Sequence, residues 1–166
     1  MKLTTRFLNS KGACKEGVAW FKAQKEINII KVLRKLALEN HWPWASWLIV
    51  RVMTRPQYLA YAIFAAEQVI EIFEKKYPKD KRPRKAIEAA KAFLKNDTHK
   101  NRVAAGAAAG AAADAYSDAD AAAGAAGAAA YSAADAAADA YSDADAAALR
   151  TKILEYGISL IKTEGK

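Results

Sequence analysis

The chain has 166 residues, with 26 Lys+Arg against 18 Asp+Glu and a net charge of +8. Its length suits a single domain that buries roughly two thirds of its unfolded surface, and its one cysteine, Cys14, excludes an intrachain disulfide framework. Apolar runs such as WASWLIV and ILEYGISLI fall short of the roughly 20 residues of a membrane span, and MKLTTRFLNSKG lacks the apolar stretch of a secretory leader, so the expectation is a cytoplasmic protein that does not enter a membrane.

The charge is unevenly placed. Residues 1–103 carry 22 bases against 9 acids, residues 104–148 carry seven Asp and no base, and residues 149–166 carry four bases and two acids. A basic body followed by an acidic segment predicts docking of one on the other, or a dipolar surface that steers a partner; solvated helix faces are the plainer alternative.

Helical spacing recurs from end to end and no alternating β-branched run stands out, so the chain reads as all-α. SKGACKEGVAWFKAQ predicts a helix entered at Ser10 or Gly12, with Cys14, Val18 and Phe21 on one apolar stripe. INIIKVLRKLALEN is the second helix, with Ile29, Ile30, Leu33, Leu36 and Ala37 on a shared face and an end near Asn40. HWPW then marks a corner before a short buried helix, WASWLIVRVM. Thr54-Arg55-Pro56-Gln57 is a capping box with proline in the first turn. The helix it opens carries Leu59, Ile63, Ala66, Ile70 and Phe73 along one side and stops at Tyr77-Pro78. In KDKRPRKAIEAAKAFLKND, Asp80 is the expected N-cap, Pro83 lies in the first turn, and the helix runs to about Asn96; Asp97-Thr98 caps the alanine-rich segment.

That segment repeats: AYSDADAAA at 115–123 recurs at 140–148, with a partial copy at 130–138. On a continuous helix Asp114, Asp118, Asp135, Asp139 and Asp143 share one face, and Tyr116, Tyr131 and Tyr141 lie opposite. A single helix over 99–161 would be about 95 Å long, too long beside a small body, so a break is expected at Tyr116-Ser117-Asp118 or at Gly124 and Gly127, giving two antiparallel helices. LRTKILEYGISLIK closes the chain with Ile153, Leu154, Ile158 and Ile161 as core. The organisation expected is one domain over 1–166, a basic helical body at 1–97 with Ala/Asp-rich helices at 98–162 packed on it. An alanine-rich helix with exposed Tyr also suits pairing with a second copy.

Catalytic chemistry is sparse. His41 and His99 have no neighbouring ligand at metal spacing, the Asp stripe would hold Ca²⁺ or Mg²⁺ only weakly, and no phosphate-binding loop, dinucleotide fingerprint or nucleophile elbow is present. No cofactor, metal or catalytic residue is expected. Two clusters stand out. In KDKRPRK, Lys81, Arg82, Arg84 and Lys85 crowd a helix N-terminus, where the dipole opposes cations and an anion would answer it. That anion is either a bound phosphate or carboxylate gripped by arginine forks, or the chain's own Glu74, Asp80, Glu88 or Asp face. His41, Trp42, Trp44, Trp47, Arg51, Arg55, Tyr58 and Tyr61 interleave aromatics with cations, which suits a stacked base and its phosphates as well as a plain core. A pI of about 9.5 favours nucleic acid, but the acidic segment and the lack of a recognition-helix motif oppose it, so nucleic acid is not the expected partner.

GACKEGVAWF, WASWLIVRVM, the helix from RPQYLAYAIF to EKKYP, KDKRPRKAIEAAKAFLKND and the alanine-rich tail together resemble the Imm-5-like immunity proteins, a family of small helical proteins of phages and bacteria. The likeness runs from about Gly12 to the tail, and its most specific piece is YP-x-D-x-RPR-x-AIEAA at Tyr77 to Ala90. The resemblance implies a non-enzymatic protein that neutralises a toxin, a defence component or a defence signal, and it transfers no catalytic residues. Two modes of binding are compatible with it. In one, a small phosphorylated ligand of nucleotide type is sequestered, as phage sponge proteins do by analogy of class, by Arg82, Arg84, Lys81 and Lys85 with Arg55, Tyr58, Trp44 and His41. In the other, a toxin or defence protein is bound through Asp135, Asp139 and Asp143.

Overall fold

The computed structural model describes residues 2–76, 78–101, 103–104 and 143–162, and among these the chain is all-α. It divides into two compact units, Met1–Val52 and Met53–Lys166.

In the first unit, Thr4 caps a short helix that the sequence pattern did not announce, α1 (Thr5–Ser10), by accepting the Phe7 N–H at 3.1 Å. Six residues are too few to show a repeat. Gly12, at φ +75°, then turns the chain, a conformation that costs glycine little. The next helix, α2 (Lys15–Gln24), begins later than expected. Cys14 is its exposed N-cap and not part of an apolar stripe: its Sγ accepts the Gly17 N–H at 3.3 Å, satisfying a donor that the helix leaves orphaned. Phe21 is buried as expected, and Lys25 ends the helix in the left-handed region.

Leu3 donates its N–H to the Ile27 carbonyl at 2.7 Å, which holds the N-terminal residues against the entry to α3 (Ile29–Leu38). Asn28 caps α3 by accepting the Ile30 and Lys31 N–H groups. Of the expected apolar face Ile29, Leu33 and Leu36 are buried while Ile30 and Ala37 are half-buried, and Val32, not counted on that face, is buried with them. Asn40, at φ +59°, lets the His41 N–H reach back to the Leu36 carbonyl at 2.8 Å. The expected corner thus falls at Asn40 and His41, and WPW is already the first turn of α4 (Trp42–Val52). Pro43 is tolerated there because a first-turn residue has no helical acceptor to lose. α1 packs on α2 and α3 on α4, and Leu3, Leu8, Ala45, Leu48 and Ile49 complete the core. Each such aliphatic side chain larger than Ala contributes about 1.5–3 kcal/mol on burial.

The second unit is built on α5 (Arg55–Lys76), which packs against both α6 (Arg82–Lys95) and α7 (Asp143–Lys162). The capping box shows in its glutamine arm: Gln57 Oε1 accepts the Thr54 N–H at 2.8 Å. A single apolar stripe was expected on α5, and Ile63 and Ile70 of that stripe are buried. A second face is buried as well, through Gln57, Tyr61 and Ala65 at helical spacing, because α5 lies between two neighbours.

Asp80 does not cap α6. It lies one residue before the cap, Lys81, and accepts the Arg82 N–H at 3.0 Å. Beyond α6, Thr98 accepts the Asn101 N–H at 3.1 Å, so the expected cap is in place, and the Asn101 amide donates to the Ala92 and Asn96 carbonyls. Residues 105–142, with most of the Asp stripe, the Tyr trio and the expected break, lie outside the described residues. α7 buries Ala146, Ile153, Leu154 and Ile158, the last three as expected, while Ile161 is half-buried.

Candidate functional sites

The first site is the start of α6. Four cations there face a helix dipole that disfavours them, and the chain's own carboxylates supply the compensating charge. Arg82 grips Asp80 through Nε (2.9 and 3.1 Å) and Nη2 (2.6 Å). Arg84 reaches back to α5 and forms a two-pronged fork on Glu74, Nε to Oε1 and Nη2 to Oε2, both at 2.6 Å. Lys81 approaches the same carboxylate at 3.7 Å. Lys85 is exposed and forms no ion pair among the described residues. Further along the helix pair, Lys91 pairs with Glu67.

These contacts reset the titration of the carboxyls. The Arg82 guanidinium holds Asp80 down at about 2, and the Arg84 fork, aided by Lys81, lowers Glu74 from its ordinary value. Glu74 in turn raises Arg84. The result is an ordered, outward-facing charged surface with an excess of cations. Arg55, at the far end of the α5–α6 hairpin, lies 5.2 Å over the Phe93 ring, away from this cluster along the hairpin, and Tyr58 is half-buried on the first turns of α5.

The second site lies in the first unit. His41 stacks on Trp44 with ring centroids 4.5 Å apart, and Trp20 meets both edge-on at 5.9 and 6.4 Å. Glu39 ties the group together, accepting the Trp20 indole N–H at 2.7 Å and lying 3.9 Å from His41 Nε2. Gly17 lies beside the group: a β-carbon there would stand in ordinary contact with the Trp44 ring at 3.9 Å and tightly, at 3.3 Å, against Cys14 Sγ. The His41–Trp44 spacing is visible in the sequence. Trp20 and Glu39 were missed, since they come from separate elements and nothing local pairs them. In the same unit Arg51 covers the Trp47 ring at 4.1 Å.

The ligand residues named from sequence are therefore divided: His41 and Trp44 belong to the first unit, Arg55, Tyr58, Lys81, Arg82, Arg84 and Lys85 to the second. Of the acidic residues named as partner contacts, Asp135 and Asp139 lie outside the described residues, and Asp143 opens α7. Among the described residues there is no group of three or more His, Cys, Asp or Glu arranged to hold a metal ion, and no helix long and apolar enough to cross a membrane.

Among the described residues the chain is of the all-α class, with polar side chains drawn into ion pairs and aromatic contacts at its surface. The chain is a member of the family described as Imm-5 like putative immunity protein, whose family model matches residues 49–164. That range takes in the whole second unit up to Glu164 and leaves nearly all of the first outside, so the match begins later than the resemblance from Gly12 suggested. No curated protein and no solved structure matches the chain. Family membership is consistent with an immunity role, which implies a toxin-type partner.

Proposed function

We propose that the protein acts by stoichiometric capture, binding an antagonist protein in bacterial or phage conflict and holding it inactive, and that the start of α6 is its contact surface. One observation carries this reading. Within the family-matched region, Arg82 and Arg84 are fixed by their forks to Asp80 and Glu74, while Lys81 and Lys85 stand exposed beside them. A fixed, exposed array with surplus cations suits the acidic surface of a folded partner, because its side chains have little freedom left to lose on docking. A small phosphorylated ligand would have to displace both carboxylates to reach the arginine forks.

Purification of the protein with its partner from the source cells, followed by reconstitution from the separate components, tests this. The expected result is one protein at fixed stoichiometry, with affinity that falls with salt and drops at least roughly tenfold on Lys81→Glu with Lys85→Glu. A nucleotide retained in native mass spectrometry, or a melting temperature that rises with cyclic or linear nucleotides by mass action, assigns the surface to a small anion instead. A complex that ignores the α6 charges but is lost on changing Asp135, Asp139 and Asp143 to Asn moves the contact to the acidic segment.

A further inference from the structure

The first unit lies almost wholly outside the family match, and its charge is one-sided: residues 1–52 carry ten Lys+Arg and three Asp+Glu. Two of the three acids are engaged within the unit. Glu26 accepts the Ile27 and Asn28 N–H groups at 2.9 and 2.8 Å, which lowers its pKa, and it approaches Lys31 at 3.5 Å. Glu39 is held by Trp20. The outer face of α3, opposite its buried Ile29, Val32, Leu33 and Leu36, carries Lys31, Arg34 and Leu38 at spacings of three and four, with Ile27 at its N-terminal end. All four are exposed. Leu38 is 82% exposed and Ile27 46%, so two large aliphatic side chains stand in water at the ends of a stripe whose centre is cationic.

We propose that this α3 face is a docking surface for an acidic protein segment, which places carboxylates against Lys31 and Arg34 and an apolar recess over Leu38. Charge complementarity selects the acidic partner, and the aliphatic ends select protein over nucleic acid, whose backbone offers nothing for leucine to bury against. The inference rests on the reading of the chain as a protein-binding factor, and it assigns the first unit a recognition role separate from the family-matched region.

The test uses the full chain and a synthetic helical peptide rich in Glu, with Leu at positions i, i+4 and i+7. A permuted peptide of the same composition and an oligothymidylate of equal charge serve as comparisons. The expected result is binding of the ordered peptide with amide shifts that, within the first unit, are confined to residues 27–38. Leu38→Ala and Lys31→Glu should each weaken it roughly tenfold, as for an interface anchor. The affinity is read from the shifts of residues 27–38 alone, so peptide that also reaches the α6 cations does not enter it, and a failure of the α6 surface is distinguishable from a failure here. Equal binding of the permuted peptide or the oligonucleotide, indifference to Leu38→Ala, or no binding of the ordered peptide at low ionic strength overturns the assignment.

Discussion

The side-chain amide of Gln57 bridges the start of α5 and the end of α7: Oε1 accepts the Thr54 N–H at 2.8 Å and Nε2 donates to the Leu160 carbonyl at 2.8 Å, across 103 residues of sequence. Gln57 is buried, so its removal breaks both hydrogen bonds in a poorly solvated place. Gln57→Ala should cost about 1–3 kcal/mol, seen as a lower urea midpoint at unchanged slope. Gln57→Glu should also destabilise near neutral pH, because a carboxylate keeps the Thr54 contact but faces the Leu160 carbonyl with no proton to donate.

Cys14 offers the opposite case, a position where the native residue is a poor choice. Its sulfur is a weak acceptor for the Gly17 N–H, whereas a serine oxygen at an N-cap is among the best. Cys14→Ser should therefore stabilise the first unit by about 0.5–1 kcal/mol, measured by chemical denaturation. Because Cys14 is exposed, little packing is lost.

The all-α class, α3 with its core face, the proline-opened starts of α5 and α6 and the apolar end of α7 were all legible in the sequence, because each rests on local spacing or on a cap. Which partner each residue takes between elements was less so. KDKRPRK pointed to Glu74 and Asp80 among the acids that could answer its four cations, and both do, but it is the turn between α5 and α6 that assigns Glu74 to Arg84, ten residues away. The second buried face of α5 was hidden for a related reason. Gln57, Tyr61 and Ala65 are not a hydrophobic stripe by composition, and only the seating of α7 makes their face an interior one. Cys14 was misplaced because an apolar repeat and an N-cap occupy adjacent positions, and sulfur serves either role.

Phe64 of α5 and Tyr156 of α7 stack with centroids 3.9 Å apart and planes 16° from parallel. Both are half-buried, so Phe64→Ala should cost less than the about 3–5 kcal/mol of a fully buried phenylalanine while still exceeding the aromatic pair term of about 0.5–1.5 kcal/mol. Tyr156→Phe keeps the ring and should stay within about 0.5 kcal/mol of the native protein. Thermal unfolding of the two variants side by side separates ring stacking from any role of the hydroxyl.

Acid should act on the α5–α6 turn through two depressed carboxyls. The ordinary values are 3.8 for Asp80 and 4.5 for Glu74, and both are depressed in the folded protein, Asp80 to about 2. A depressed carboxyl stabilises the fold above its unfolded value, and that contribution disappears as pH falls through the folded one. The Asp80 contribution is thus full above about pH 4 and is lost towards pH 2, while the Glu74 contribution begins to fade as pH drops below its ordinary 4.5. Carboxyl-carbon NMR titration should place Asp80 near 2, and Arg82→Ala should return it towards 3.8. Arg84→Ala should raise Glu74 and leave Asp80 where it is, since the two forks share no carboxylate. If Arg84→Ala moved both carboxyls together, the forks would be one coupled network, and the charged surface at the start of α6 would have to be treated as a single unit.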